Sequence, residues 1–194
     1  MKRRFFLLVL IGCASLCVAE TQTWQIDPAH TSSQFSVRHL GISTVRGVFQ
    51  KTTGTVTWDP ADPTKTQIDA TIDATSVDTR VQMRDNDLRS AHFFDVAKYP
   101  TITFKSKHAE AAGAGKLKVT GDLTIHGVTK EVVLDVDGPS APMNAMGGMR
   151  MGAEATTKIN RNDFGVSGAP GAVGNDIQIV IDVEVTHPAP AAAH

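Results

Sequence analysis

Cysteine is nearly missing from this chain of 194 residues, which contains only Cys13 and Cys17. Both lie in the amino-terminal segment MKRRFFLLVLIGCASLCVAE, which has a basic start, an apolar run over residues 5–11 and small residues near its end. This arrangement is typical of an export signal, and we expect cleavage after Ala19. The remaining chain has no cysteine, which excludes a disulfide framework, a thiolate metal site and a cysteine nucleophile.

An apolar stretch long enough to cross a membrane is also missing. The run over residues 5–11 is far shorter than the roughly 20 residues that a spanning helix needs, so we expect a cleaved signal and no retained anchor. The motif LIGC at residues 10–13 leaves one alternative, lipid attachment to Cys13 as in bacterial lipoproteins. We predict a signal peptide over 1–19, one domain over 20–187 and a disordered, low-complexity tail over 188–194.

Positive charge is not in excess. Three of the 19 Lys and Arg residues lie in the signal, which leaves 16 against 20 Asp and Glu, a formal charge of −4. A negative protein of this kind is a poor partner for nucleic acid, whose phosphates bind clustered Lys and Arg. About 175 residues after the signal suit one domain with one core.

Motifs for catalysis are absent as well. The segment GVSGA around Ser167 does not have the glycine spacing of a nucleophile elbow, and no phosphate-binding glycine loop or nucleotide fingerprint occurs. The paired carboxylates Asp69 and Asp73 fall on the predicted solvent face of a strand. We therefore predict a protein that is not an enzyme and needs no cofactor. The alternative is an enzyme acting on a lipid head group, with His39 or His92 as a base.

What the chain does contain is alternation of polar and apolar residues in short runs. Trp24 and Ile26 begin the pattern, Phe35 and Val37 continue it, and VTKEVVLDVD and DIQIVIDVEV extend it to residue 185. We count eight or nine such strands, separated by Gly, Pro, Asp and Thr, which predicts an antiparallel meander. Closure into an eight-stranded barrel would remove the exposed edges, so we predict an all-β, antiparallel barrel.

One segment, RDNDLRSAHFFDVAKYP at residues 84–100, departs from this alternation. Thr79 and Gln82 fit a capping box, which predicts a short helix that ends before Pro100 and covers one end of the barrel. The apolar residues of this segment would cover the barrel interior. Its charged pair, Arg84 and Asp85, would position the helix by ion pairing with the INRNDFG motif at residues 159–165, at Arg161 and Asp163.

Small residues on the predicted inward faces indicate that the barrel has internal space. They are Gly47, Ala70, Ala74, Gly121, Ala153 and Ala155. An eight-stranded barrel can either be filled by side chains or hold one small ligand, and we expect a cavity for a long hydrocarbon chain. The alternative is a filled core, in which large neighbours pack over these residues. The predicted ligand-binding residues are Phe35, Val37, Phe49, Ile72, Leu88, Phe93, Phe94, Leu123 and Ile181.

Four blocks of sequence resemble the YceI-like family of bacterial polyisoprenoid-binding proteins. They are WQIDPAHTSSQFSVRHLGISTVRGVF, RDNDLRSAHFFDVAKYPTITFKS, GDLTIHGVTKEVVL and INRNDFGV, in the family's order. The resemblance implies a lipocalin-like antiparallel barrel, often dimeric, that holds an isoprenoid or fatty chain in the periplasm. This chain departs from the family at Asp87, where the family has His, and at His92, where it has Asp. An acid and a His remain close, so a local polar network could survive this exchange.

Two residue types leave a metal site open as an alternative. His30, His39 and His92 could meet at a barrel rim, but no HExxH or other close ligand spacing is present. Thioether sulfurs that could bind Cu(I) are close together in MNAMGGMRM, at Met143, Met146, Met149 and Met151. We favour a packing role for these methionines and predict no metal site. The expected function is thus a periplasmic carrier of a long-chain amphipathic lipid, with copper handling as the alternative.

Overall fold

The structure is a computed structural model that describes residues 21–188. It contains one α-helix, α1 (Gln82–Arg89), and three short 3₁₀ turns at Pro63–Lys65, Ala74–Ser76 and Arg161–Phe164. Its strand segments are β1 (Gln22–Ile26), β2 (Ser32–His39), β3 (Ser43–Phe49), β4 (Thr52–Trp58), β5 (Gln67–Asp73), β6 (Val77–Asp78), β7 (Thr101–Ala111), β8 (Lys116–Ile125), β9 (Val128–Asp137), β10 (Met143–Ala145), β11 (Gly148–Asn160) and β12 (Val173–Pro188).

The segments form a closed antiparallel barrel of eight strands, as predicted. Three of the eight strands are interrupted, and each of these consists of two consecutive segments. The pairs of segments are β1 with β2, β3 with β4, and β5 with β6. The meander continues through β7, β8, β9, β11 and β12, with β10 as a short addition beside β11. Closure comes from β12, which pairs with β11 on one side and with β1 and β2 on the other.

The alternation seen in the sequence corresponds to alternating burial. In β8, for example, Leu117, Val119, Gly121, Leu123 and Ile125 are all buried, and the residues between them are more exposed. Successive side chains of a strand point to opposite faces, so these five residues point into the barrel. The apolar interior is what specifies the register, because a slip of one residue would turn every one of them toward water.

The barrel has two distinct ends. The lid end comprises residues 40–42, 79–100, 126–127 and 161–172, and the opposite end comprises residues 59–66, 112–115 and 138–147. A second buried cluster near the opposite end contains Trp24, Ile26, Met151 and Val185, while the main core extends toward the lid end. The helical insertion between β6 and β7 lies at one end of the barrel and not along its side, as predicted.

Two details of that insertion differ from the prediction. The capping box is wrong: α1 begins at Gln82 after Val81, which makes no side-chain cap. Thr79 lies outside the helix, and its N–H and hydroxyl both donate to the buried Asp85 carboxylate. Arg84 donates to the hydroxyl and carbonyl oxygen of the same Thr79. The helix is therefore held by a hydrogen-bonded loop in front of it and not by a cap.

The predicted ion pairs between the helix and the INRNDFG motif are also wrong. Arg84 and Asp85 are both satisfied by Thr79, and Arg161 donates only to backbone carbonyls. A guanidinium has five N–H donors in a fixed fork, and backbone carbonyls can accept hydrogen bonds from them as carboxylates do. Arg161 therefore needs no carboxylate partner.

The predicted signal peptide, with Cys13 and Cys17, lies outside the described residues, as do residues 189–194 of the predicted tail. Pro188, which we assigned to the tail, is the last residue of β12. No helix within residues 21–188 combines the length and apolar character needed to cross a membrane.

Candidate functional site

The barrel encloses a cavity of about 200 Å³ with an almost entirely apolar wall. Four of the residues of β12 that line it are Ile177, Ile179, Ile181 and Val183, every second residue along this part of the strand. At about 3.3 Å per residue, these four extend over about 20 Å. The wall continues to Val173 near the lid end and to Ile26 toward the opposite end. The space is thus elongated along the strands, which suits a linear guest.

All nine residues predicted to contact ligand line this cavity: Phe35, Val37, Phe49, Ile72, Leu88, Phe93, Phe94, Leu123 and Ile181. They come from seven separate segments, β2, β3, β5, α1, the turn after α1, β8 and β12. Their position in the wall follows from alternation, since each lies on the inward face of its strand or on the inner side of the lid. That they bind a ligand stays a prediction.

Four of the six small residues predicted to leave space have one of two different roles. Ala70 and Ala155 line the cavity. The space above Gly47 and Gly121 is filled, because an aromatic ring packs directly over each glycine. An added Cβ would lie 2.4 Å from the Phe35 ring at Gly47 and 2.5 Å from the Phe104 ring at Gly121. The alternative of large neighbours over small residues is therefore correct at these glycines. The missing side chains give two aromatic rings room to pack against the backbone of the wall, where both rings line the cavity.

The lid is the turn that follows α1, and its aromatic residues close one end of the cavity. Phe94 packs edge-on against Phe49 with ring centroids 5.6 Å apart. Phe93 is buried beneath the 161–172 loop, where a Cβ on Gly168 would lie 2.9 Å from its ring. Tyr99 packs in the same way on Gly127, 2.4 Å from where a Cβ would be. These close contacts fix the lid against two loops of the lid end.

The exchange of acid and His in the lid keeps a polar contact. His92 Nδ1 lies 3.1 Å from Asp87 Oδ1, and its Nε2 accepts a hydrogen bond from the Ala169 N–H at 3.3 Å. Because Nε2 accepts, Nδ1 carries the proton and donates to Asp87. His92 therefore joins α1 to the 161–172 loop. Within residues 21–188 His30 lies with Asp27 and Glu184 and with no other histidine, so the predicted meeting of His30, His39 and His92 does not occur.

Arg161 is the residue whose role sequence reasoning missed. It is only 5% exposed and lines the cavity near the lid end. Its guanidinium donates to four carbonyl oxygens, those of Val166, Gly168, Val173 and Gly174, at 2.7–3.0 Å. Burial lowers its pKa from the ordinary value, and no carboxylate of residues 21–188 lies within ion-pairing distance of it. Arg161 thus fastens the loop that covers the lid, and the signal for it was an Arg at the start of a Gly-rich segment.

A second polar cluster lies between β1, β11 and β12. Arg150 Nη1 contacts the carboxylates of Asp27 and Glu184, and His30 Nδ1 lies 3.0 Å from Asp27 Oδ2. The oxygens and the ring nitrogen are close enough together to ligate a metal ion. A cation there would have to displace the guanidinium that both carboxylates already contact. The arrangement is that of an arginine-centred ion network.

This network makes a prediction about pH. The hydrogen bond with His30, then those with the Ala29 N–H and Arg150, lower the pKa of Asp27 from 3.8 to about 2. A carboxyl whose pKa is lower in the folded state stabilises the fold above its unfolded pKa and loses that effect as pH falls toward 2. We expect Asp27→Asn to remove part of the acid dependence of the free energy of unfolding between pH 4 and pH 2, measured by urea titration. The control is Asp135→Asn, which removes the carboxylate of an exposed ion pair with Lys118. This variant should change the acid dependence of the free energy of unfolding less.

The methionines do not form one thioether site. Met151 is buried in the cluster with Trp24, and Met149 packs against the same cluster. Met143 pairs with Arg150 in the β10–β11 register, which places it on the opposite face from Met149 and Met151. Met146 is 82% exposed at the turn. The packing role that we favoured therefore describes Met149 and Met151.

Comparison with known proteins assigns the family. The model of the YceI-like domain matches residues 24–185 of this chain. Protein YceI of Escherichia coli O157:H7 is 39% identical over 175 residues, which is 90% of this chain and 91% of that protein. The match thus extends over the whole barrel and is not limited to one motif.

Solved structures agree with this assignment. A crystal structure of a YceI protein from Campylobacter jejuni has a TM-score of 0.69 at 37% identity and covers 77% of this chain and 89% of that one. A polyisoprenoid binding domain from Saccharophagus degradans has a TM-score of 0.64 at 18% identity, covering 85% and 98%, which shows a shared fold. With a matching family model, a similar relative of nearly equal length and the same barrel, this chain belongs to the YceI-like domain family.

Proposed function

We propose that this protein binds and carries one long-chain amphipathic lipid, a polyisoprenoid, an isoprenoid quinone or a fatty-acid derivative. The observation that carries the proposal is the elongated apolar cavity, which is closed at the lid end by Phe93 and Phe94. Family membership supports it, and so does the shared fold of the Saccharophagus polyisoprenoid binding domain.

The energetics favour a guest. An unfilled apolar cavity of about 200 Å³ would destabilise the fold by on the order of 5 kcal/mol. Each methylene of a hydrocarbon chain that enters it contributes about 0.8 kcal/mol. A chain of several methylenes therefore offsets the cost of the cavity.

Binding in this proposal is passive. Apolar burial holds the chain, the lid slows its exit, and the polar head group lies outside the apolar wall. No residue of the wall has to react with the lipid for the lipid to be held. We therefore propose a carrier and not an enzyme. We place it in the periplasm because the amino-terminal segment has the features of an export signal. Its proposed partners are the lipid and a second copy of the chain, which would form a homodimer with it.

The test is native mass spectrometry of the purified protein before and after solvent extraction. We expect an added mass of one lipid that extraction removes and that returns when a long-chain isoprenoid or fatty acid is supplied. Unfolding temperature should rise on rebinding, because a ligand that binds only the folded state stabilises it. A protein that carries no lipid and rebinds none of several long-chain lipids would contradict the proposal.

A further inference from the structure

The turn between β2 and β3 presents two large apolar side chains to solvent. Leu40 is 57% exposed and Ile42 is 81% exposed, on either side of Gly41. Single exposed apolar residues are ordinary on protein surfaces, but two on one tight turn form a protruding apolar tip. We call residues 40–42 the apolar tip.

The apolar tip is held in place by hydrogen bonds. Leu40 N–H donates to the Ala172 carbonyl at 2.7 Å, and Ile42 N–H donates to the His39 carbonyl. Arg38 donates to the Gly41 carbonyl at 2.7 Å and to the Thr44 hydroxyl. Leu40 has a φ of +51°, a conformation that few non-glycine residues adopt. A bulky apolar residue is thus held in an unfavourable conformation at an exposed position.

The two strand segments that carry the apolar tip, β2 and β3, hold charge of one sign. Residues 28–58 contain no Asp or Glu, but they contain Arg38, Arg46 and Lys51. Arg38 and Arg46 lie on the outer face of β2 and β3. Within residues 21–188 the arginine that pairs with carboxylates is Arg150, and Arg38 and Arg46 form no such pair. The tip is therefore apolar at its end and positive behind it.

This tip belongs to the lid end of the barrel. Ala172, to which Leu40 is bonded, is in the 161–172 loop. The same loop packs on the lid, since Gly168 lies against His92 and Phe93. A surface that received the apolar tip would therefore face the end of the cavity that the lid closes.

We propose that the apolar tip and Arg38 and Arg46 form a docking site for an anionic lipid surface. Leu40 and Ile42 insert among the lipids, and the two arginines lie at the level of the phosphates. The docking itself needs no bound ligand. Docking would bring the lid end of the barrel to the membrane surface, where a lipid is taken up or released. This purpose of the docking rests on the proposed function.

A second copy of the chain fits this site less well. A stable protein interface buries about 800 Å² on each partner, which two side chains on one turn cannot supply. In a two-fold pair the same patches meet, so Arg38 and Arg46 would face their own copies. A bilayer needs no such complementary shape and offers the opposite charge.

The experiment is co-sedimentation of the full protein with phosphatidylcholine vesicles that contain or do not contain phosphatidylglycerol. We expect binding to the anionic vesicles, decreasing with added salt. The double variant Leu40→Asn with Ile42→Ser should lower the affinity by at least about tenfold. Arg46→Gln should lower it by about fivefold on anionic vesicles only.

Two matched variants serve as controls. Met146→Asn makes the same change as Leu40→Asn at an exposed apolar residue with φ of +54° at the opposite end. Lys105→Gln removes one exposed positive charge from the barrel wall. Neither should change vesicle binding. Asn is suited to positive φ, so both Asn variants should fold.

Three outcomes would overturn the docking proposal. One is no binding to the anionic vesicles, or equal binding to both kinds of vesicle, and another is an equal effect of the tip and control variants. The third is a wild-type dimer, seen by analytical ultracentrifugation, that only the tip variants dissociate. Native mass spectrometry of the same samples separates this proposal from the carrier function: lipid in the barrel without vesicle binding contradicts only the docking, and vesicle binding without lipid in the barrel contradicts only the carrier.

Discussion

Ala155→Phe is expected to abolish lipid binding, with a loss of affinity of at least about a hundredfold, or about 2.8 kcal/mol. Ala155 lies in β11, opposite Ile181 of β12 and Val136 of β9, and its side chain lines the cavity. An aromatic ring there would occupy the space proposed for the hydrocarbon chain. The measurement is titration of the solvent-extracted protein with a fluorescent long-chain lipid.

Stability distinguishes this result from simple misfolding. A ring placed in an existing cavity should change the free energy of unfolding by no more than about 1–3 kcal/mol. Ala112→Phe is the matched control, because it adds the same ring at an exposed residue in the β7–β8 turn, outside the barrel. If the Ala155 variant folds and binds lipid as tightly as this control, the ligand does not occupy the cavity.

Arg161→Met is expected to have the largest effect on stability, a loss of roughly 3 kcal/mol in the free energy of unfolding. It would leave up to four carbonyl oxygens without their donor. Each buried acceptor left without a partner costs about 1–3 kcal/mol, and the removal of a desolvated cation offsets part of that sum. Urea unfolding measures the loss, and hydrogen exchange should show faster opening of residues 165–174.

Two further variants separate the hydrogen bonds of Arg161 from its charge. Arg161→Lys keeps the positive charge but has three donors and no planar fork, so we expect a loss between those of the wild type and the Met variant. Arg46→Gln, at an exposed arginine, should change stability by less than about 0.5 kcal/mol. A loss below about 1 kcal/mol for Arg161→Met would contradict the role assigned to it.

The barrel and the cavity wall could be predicted from sequence because both depend on alternation. Inward residues of a strand recur every second position, so Val37 and Ile181 could be placed in the wall without coordinates. The lid could be predicted because Leu88, Phe93 and Phe94 interrupt the alternation between two strands. These patterns are local, because the residues of each strand or turn contain the pattern for that element.

Contacts between distant segments could not be predicted in the same way. The capping box at Thr79 was a reasonable local interpretation, but Asp85 competes for the same hydroxyl and N–H. The partners of Arg161 are carbonyl oxygens, which every residue has, so the Gly-rich segment after Arg161 indicates a loop but does not identify the carbonyls that it contacts. Alternation predicts space at Gly47 and Gly121, although rings from neighbouring strands pack over both.

The sequence alone determined that this protein is an antiparallel barrel with an apolar interior and a lid, since periodicity and one interrupted segment are enough to specify these features. The tertiary structure alone decided how large a cavity the interior contains, which loop Arg161 holds over the lid, and that the apolar tip lies at the lid end. These depend on the distances between side chains and carbonyls from separate strands, and only the closed barrel sets those distances.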